Sequence, residues 1–504
     1  MKEPAIGIDL GTTFSVVATL DADGKPQTIR TAEGDLTCPS VVLFDENSIA
    51  VGQEAVKAAT VEAENVADFA KRDIGNSAYH RLIRGESYPP EVIQSLILEK
   101  LKRDAEMQVG PFTKAVITVP AFFNEPRRQA TADAGELAGI DVIDIINEPT
   151  AAALVYGIQQ GFLNKTGEAN QSERILVYDL GGGTFDVTLM EVSGHQFNTL
   201  GTAGDVYLGG TDWDRRIVDL IAEKFQQKFR GIDPRQDPKG MKRLHREAED
   251  AKRALSVRGS ITITFEHAGE GLRLPISRED FESCTADLLE RTIFTTTNLL
   301  RDVNVQISDL TRILLVGGST RMPAIAERLQ KETGLIIDRS LSADEAVAHG
   351  AALYAGFLLD KQQNRPTNVT ITNVNSHSLG LIALKREQKV NSILIPKNTS
   401  LPVTRTKRFK THKDNQRTVI IRVVEGDDPS GENVTEIGKC VLGPLPTGLS
   451  AGTRVDVAFS YNESGRLTVV AQIPSIGLGS KVAIERSEGL SADQKAKWQT
   501  RMTQ

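Results

Sequence analysis

Residues 175–190 read ILVYDLGGGTFDVTLM. An apolar run over 175–178 ends on Asp179, Gly181, Gly182 and Gly183 follow within two residues, and Phe185, Val187 and Leu189 then alternate away. That is the pattern of a β-hairpin with a glycine tip. Three glycines cost backbone entropy, so they imply positive φ angles or a group approaching the main chain more closely than a Cβ allows. Polyphosphate is one such group, because consecutive backbone N–H groups in a tight turn form an anion-binding concavity. Asp179 and Asp186 flank the tip as holders of a hydrated cation. A glycine-rich turn carrying two solvated aspartates is the plainer alternative, and this stretch alone leaves it open.

Residues 5–17, AIGIDLGTTFSVV, repeat the arrangement: alternating Ile6 and Ile8, then Asp9, Gly11 and the hydroxyls of Thr12 and Thr13, then Phe14. The two stretches share DLG, threonine and phenylalanine in one order, which is an internal duplication of a phosphate-hairpin unit. A third unit, residues 313–323 (ILLVGGSTRMP), brings Gly317 and Gly318 before a helical pattern through Ile325 and Leu329, where backbone amides favour anions. No G-x-G-x-x-G opens a helix after a strand and no G-x-x-x-x-G-K-[ST] occurs. Both absences argue against dinucleotide-binding and P-loop folds.

The chain has 504 residues, 40% hydrophobic and 25% charged, enough for two to four domains. A formal charge of −7 disfavours nucleic-acid binding, which wants a basic face. Cys38, Cys284 and Cys440 lie far apart without metal-ligand spacing, which suits a reducing compartment. No signal-peptide core or membrane-length apolar run is present, and the expectation is a cytoplasmic protein free of membrane.

In chain order, apolar periodicity predicts helices over 54–69 and 90–107, a strand over 115–120, a helix over 127–138 and a strand over 142–146. Residues 147–150 open an alanine-rich helix, where Glu148 has the placement of an ordinary first-turn carboxylate. A polar loop spans 164–173. Residues 204–214 open a helix over 213–229. The helix around 247–255 carries Glu249, Lys252 and Arg253 as a mixed-charge face. A hairpin is expected over 261–274 and a helix over 343–359. Residues 360–368 have linker composition, and 369–374 alternate. From 378 to 486 helical patterning stops; short alternating runs (403–409, 419–424, 455–459, 467–473) separated by turns such as 462–465 give a β-sandwich signature. Lys and Arg crowd residues 404–417, as a solvated strand face or as a surface favouring acidic peptide flanks. Residues 489–504 begin a helix capped near Ser491.

DLGTT at 9–13, VPAFFNEPRRQAT at 119–131, INEPTAAALVYG at 146–157, DLGGGTFD at 179–186 and LVGGSTRMP at 315–323 together closely resemble the seventy-kilodalton heat-shock chaperone family, the DnaK type. The resemblance runs from residue 6 to about 490. It implies an α/β, actin-like, two-lobed ATPase domain (1–360), a linker (361–374), an all-β sandwich that binds peptides (375–486) and a short C-terminal helix or tail (487–504) without the family's helical lid. It implies ATP with Mg²⁺, K⁺ being a further ion the family admits, and stress-response duty in folding unfolded polypeptides.

By the same resemblance, Asp9, Asp179 and Asp186 hold the metal through water, and Thr12, Thr13, Gly181, Gly182 and Gly183 cradle phosphate together with Gly11, Phe14, Gly209 and Gly210. Lys71, Glu148 and Thr184 orient the γ-phosphate and attacking water. Glu249, Lys252 and Arg253 clamp adenosine against Gly317, Gly318, Ser319, Arg321 and Asp344. Pro120 and Arg128 relay nucleotide state. Leu379, Leu381, Leu384, Phe409, Val419 and Ile437 line the peptide cleft, under an arch occupied by His412. Three departures from the family bear on partners. Residues 76–90 are short, which implies a trimmed lobe, and the 261–274 hairpin is short, which weakens the expectation of a nucleotide exchange factor. The linker stretch 369–374 has lost apolar area and its acidic residue; at roughly 1.5–3 kcal/mol per buried leucine, this weakens expected docking and J-domain stimulation. The rival readings are an actin-like filament or scaffold, an ATPase uncoupled from its peptide domain, a sugar-kinase-type enzyme and a non-hydrolysing ATP sensor.

Overall fold

The computed structural model describes residues 3–46, 48–161, 172–365, 367, 369–462, 465–484 and 490–502. Most of the polar loop expected over 164–173, and the middle of the 462–465 turn, lie outside them.

Strands Ser172–Leu180 and Phe185–Ser193 pair antiparallel with Leu180 opposite Phe185, leaving residues 181–184 as the hairpin tip. They sit in a sheet ordered Ile336–Asp338, Arg312–Val316, Ser172–Leu180, Phe185–Ser193, Gln196–Asp205, Thr370–Thr372. The second hairpin, Gly7–Asp9 with Phe14–Leu20, lies in a sheet ordered Pro26–Ile29, Phe14–Leu20, Gly7–Asp9, Lys114–Val119, Asp141–Asn147. Both sheets follow one plan. An antiparallel three-strand meander comes first, and two further strands then add parallel to its first strand. The duplication visible in two hairpin tips therefore extends to whole sheets. It is matched by the helices Glu148–Gln159 and Ala346–Gln362, which follow the last strand of each plan and pack against each other.

The run 175–178 is apolar throughout because its strand is covered on both faces. Leu176 and Tyr178 join a core with the helix Gly210–Lys228, whereas Ile175 and Val177 join the core around the two central helices. The helix expected over 54–69 is not formed at that length. Gln53–Ala58 is an α-helix and Ala63–Asn65 a single 3-10 turn, and Val66–Asp68 is instead a strand against Val41–Phe44. Its short apolar run satisfies a sheet edge as well as a helical face, an ambiguity periodicity does not resolve.

From Leu379 on, two four-stranded antiparallel sheets enclose one core. Their orders are Gln388–Ile395, Leu379–Lys385, Val419–Glu425, Thr435–Leu442 and Val403–Lys410, Arg454–Tyr461, Leu467–Ile473, Leu478–Ala483. The weak-looking stretch after residue 369 forms a strand: Thr370–Thr372 adds parallel to Gln196–Asp205, with Ile371 packed on the central-helix core. The ladder uses backbone groups that threonine supplies as well as leucine does. The helix Ala492–Met502 lies back on the first lobe. There Lys495 Nζ meets Asp133 and Glu136 at 2.7 and 2.6 Å, and Trp498 packs 5.4 Å from the Tyr88 ring. Cys38, Cys284 and Cys440 are unpaired thiols. Among the described residues no helix is long and apolar enough to cross a membrane.

The sandwich touches the two-sheet body through polar contacts. Asn398 Oδ1 accepts from Thr202 N (3.0 Å), Lys397 reaches Asp302 (2.6 Å), and the His377 ring packs tilted, 4.3 Å from the Phe122 ring. At the centre Glu425 Oε2 accepts from the Glu125 amide at 3.2 Å, and the Tyr461 hydroxyl lies 3.5 Å from Glu125 Oε2. Burial raises Glu125 to about 7 and Glu425 to about 8, and Glu425 itself raises Glu125 further; Arg128 opposes both shifts, and Tyr461 and Arg466 oppose that of Glu125. The docked state thus binds more protons than the undocked one, and docking must weaken as pH rises from about 4.5 towards about 8. His377, lowered by burial, acts the other way below its ordinary range, so the carboxyl effect is read between pH 6.5 and 8.5. Interdomain dye-pair distances over that window should lengthen with pH, and Glu425→Gln should flatten the profile.

Candidate functional site

The two hairpin tips meet where the sheets converge. An ideal Cβ on Gly182 would fall 1.9 Å from Thr13 Oγ1, and one on Gly183 would fall 2.4 Å from Thr12 Cγ2. Neither glycine adopts positive φ. Of the two explanations for the glycine run, the structure thus shows close approach, and the approaching groups are the threonines of the other tip. Gly317 is different: its φ of 83° is the turn that lets the third strand leave over Leu180.

Around the tips is a cleft of about 1090 Å³. Asp9, Gly11, Thr12, Thr13 and Phe14 line it from one lobe, with Lys71 and Glu148; Asp179, Gly181, Gly182 and Thr184 line it from the other. Glu249, Lys252, Arg253, Gly317, Gly318, Ser319, Arg321 and Asp344 form its outer wall. Gly183, Gly209, Gly210 and Asp186 stand behind this lining. Gly210 N donates to Gly181 O and Ser319 Oγ donates to the same carbonyl, both at 2.9 Å, which fixes the second tip from behind.

At the floor Lys71 Nζ lies 2.7 Å from Glu148 Oε1, with both side chains nearly dry. One ammonium faces four carboxylates. Desolvation and then Glu148 raise Asp9 to about 7 and Asp186 to about 8, and desolvation, Glu148, Asp186 and Asp9 raise Asp179 well above the carboxylate range. Thr118 Oγ1 donates to Asp9 at 3.1 Å and Phe122 N to Asp186 at 2.8 Å, each opposing the rise at its acceptor without cancelling it. Buried Thr13 Oγ1 has no hydrogen-bond partner. Negative charge in excess, an orphaned hydroxyl and glycine-bare amides together suit a cation with an oxyanion. Among the described residues no three His, Cys, Asp or Glu converge to ligate a metal directly.

The outer wall is braced within itself. Lys252 Nζ is engaged by Asp214 (2.8 Å) and Gly210 O (3.0 Å), and Arg253 pairs with Glu249 (2.5 Å) while lying 5.4 Å over the Phe14 ring of the opposite lobe. Arg321 and Asp344 make a two-point pair at 3.0 and 2.6 Å. Several residues that bridge the lobes were not singled out from sequence. Arg72 donates to Gly183 O (3.1 and 3.2 Å) and pairs with Asp212; Lys242 pairs with Asp68, which also pairs with Arg81. Arg72's one sequence signal is its place beside Lys71; the others read as surface charge.

Arg128 lies outside the cleft, donating to Asn147 Oδ1 at 2.7 Å, one residue from Glu148, with Pro120 on the adjoining turn. The six peptide-cleft candidates are not gathered in one open groove. Leu379, Leu381 and Ile437 are buried in the sandwich core, Phe409 and Val419 pack partly against it, and Leu384 is 53% exposed. Alternation puts the first three on inward faces, which a cleft reading and a core reading share.

The family model for the Hsp70 protein matches residues 5–504. The chain belongs to the Hsp70 family, whose members are ATPases that bind unfolded polypeptides and act with co-chaperones. Lys71→Met should lower stability by roughly 3–5 kcal/mol by leaving Glu148 buried among carboxylates. Adding Glu148→Gln should recover most of the loss in a thermal melt.

Proposed function

We propose that this Hsp70-family chain is an ATP-dependent chaperone in which nucleotide binding and hydrolysis control the release of extended apolar peptides. Residues 1–360 would be the actin-like ATPase domain, 361–374 the linker, 375–486 the peptide-binding sandwich and 487–504 a short C-terminal helix or tail. The observation that carries the reading is the meeting of two threonine-and-glycine tips over desolvated Asp9, Asp179 and Asp186 beside the Lys71–Glu148 pair.

Mg²⁺, bound with the nucleotide, would neutralise phosphate charge while keeping most of its waters. Asp9, Asp179 and Asp186 fit as acceptors for those waters. Gly11, Thr12, Thr13 and Gly181 to Gly183 would hold phosphate oxygens through amides and hydroxyls, with Gly209 and Gly210 supporting the second tip. Lys71, held by Glu148, would place positive charge beside the γ-phosphate, and Glu148 and Thr184 would orient the attacking water. The aliphatic stems of Lys252 and Arg253 with Glu249 would face the turn at 317–321 across the adenosine, Asp344 holding Arg321 in place.

Communication between the parts has a concrete route: Arg128 touches Asn147 beside Glu148 and faces Glu425 of the sandwich, while Thr370–Thr372 completes the second-lobe sheet. Three unpaired thiols support a reducing, cytoplasmic setting. Thr184→Ala should depress ATP turnover at least tenfold, and up to about a hundredfold for one positioning contact, with an unchanged melt. Unaltered hydrolysis would remove Thr184 from the mechanism. A labelled apolar peptide should leave faster with ATP than with ADP in stopped flow, and Ile371→Asp, by expelling the linker strand, should equalise the two rates.

A further inference from the structure

The sandwich carries charge opposite to the rest of the chain. Residues 375–484 hold 15 Lys and Arg against 9 Asp and Glu, in a protein whose formal charge is −7. The excess is concentrated at one end. Strand Leu379–Lys385 pairs antiparallel with Val419–Glu425, Leu381 opposite Val423. Continuing that register brings Lys385 level with Val419. The hairpin tip after Lys385 and the connection 411–418, which joins Val403–Lys410 to Val419–Glu425, therefore flank the same end. Exposed Leu384 and half-buried Phe409 and Val419 lie there too.

Basic residues stand on both sides. Lys385, Arg386 and Lys389 mark the hairpin, and Lys413 the connection, all exposed. Arg405 and Lys407 come from Val403–Lys410, the edge strand of the other sheet. Their cross-strand partners are Phe459 and Val457, both buried, so the two cations share the inward face with Phe409. Lys407 Nζ comes to 3.5 Å from Ile393 O on Gln388–Ile395, the edge strand of the facing sheet. It thus spans the opening between the sheets. Among the described residues none of these six cations has an ion-pair partner, although carboxylates elsewhere in the sandwich do: Asp456 with Arg454, for one. Glu387 and Asp414 are the sole acidic residues in 385–389 and 403–418. An inward charge on an edge strand also discourages strand addition by a second chain. That purpose accounts for Arg405 or Lys407 but not for a second set on the hairpin of the facing sheet.

We infer that the cleft selects extended peptides whose apolar segment is flanked by Asp or Glu. This rests on the peptide-binding reading above and specifies its substrate class. Phe409 and Val419, half-buried against the sandwich core, take the segment, and the cations on either side attract the flanking carboxylates. Charges at the rim of an interface act through encounter and discrimination and are sensitive to salt.

The test uses the full chain and three labelled peptides sharing one apolar heptamer, flanked by Glu, by Ser or by Lys, with affinity read by fluorescence anisotropy. The Glu-flanked peptide should bind at least tenfold more tightly than the Lys-flanked one at about 0.05 M salt, with the Ser-flanked peptide between them. The difference should collapse towards 1 M salt, where the screening length is about 3 Å. Lys385→Gln with Arg386→Gln, or separately Arg405→Gln with Lys407→Gln, should bring the Glu-flanked affinity to that of the Ser-flanked peptide in a protein with an unchanged melt. Equal affinities for all three peptides, or a preference for Lys flanks, overturn the inference while leaving peptide binding intact. Failure to bind even the Ser-flanked peptide removes the peptide-binding reading, and this one with it. Polyglutamate or single-stranded DNA binding as tightly as the Glu-flanked peptide also overturns it, in favour of an anion patch indifferent to the apolar segment.

Discussion

Four buried carboxylates facing a single ammonium are the constraint around which this protein is built. Asp9, Asp179, Asp186 and Glu148 are delivered to one point by four separate strands or strand ends, and the cation set against them is Lys71. Desolvating so much like charge is costly in a folded state. A site of this kind persists when the surrounding framework is stiff enough to hold it, and the duplicated sheets with their central helix pair supply that stiffness. It also stores a demand for positive charge, which a hydrated cation with its nucleotide meets in the proposed function. The lobes are then joined across the cleft by side chains whose partners lie on the opposite lobe, Arg72 and Arg253 among them, so closure and site geometry are one property.

The hairpins themselves were legible because they break local rules. Three consecutive glycines after an aspartate, and two threonines after DLG, are poor choices for a turn whose purpose is connection, and their repetition 170 or so residues apart gave away a duplication. The helix Pro90–Val109 and most strands were legible from periodicity for the ordinary reason that one face is dry. The full extent of the duplication was not legible, since the parallel strands Lys114–Val119 and Arg312–Val316 share a position in their sheets and almost no residues. Residues 54–69 failed for a related reason: which partner a short apolar run finds is decided by tertiary pairing, and the run itself fits helix or strand. Lobe-bridging charges such as Asp68 and Lys242 are invisible in one dimension because a surface ion pair and a cross-cleft clasp use the same residues.

The peptide-cleft candidates illustrate a different limit. Alternation identifies inward-facing residues, and Leu379, Leu381 and Ile437 do face inward, yet an inward face serves both a core and a groove opening into it. What separates the two is the end of the sandwich where packing stops, marked by half-buried Phe409 and Val419 and by cations on an otherwise inward face. Charge placed on the wrong face of a strand is a stronger functional signal than apolar residues placed on the right one.

The linker shows how sequence loss and structural loss differ. Thr370, Thr372 and Asn373 forfeit apolar burial, which lowers the free energy of docking, but strand addition recruits backbone N–H and C=O groups that every residue but proline carries. Parallel pairing of Gln196, Phe197 and Asn198 with Thr370, Ile371 and Thr372 needs just one side chain inward, and Ile371 is that one. The remaining hold comes from the sandwich itself, through Glu125 with Glu425, Thr202 with Asn398 and Asp302 with Lys397. The exposed pair of these, Asp302 with Lys397, is individually weak. In the proposed function Arg128, which donates to Asn147 beside Glu148, would carry a change at the nucleotide site to the interface at Glu425.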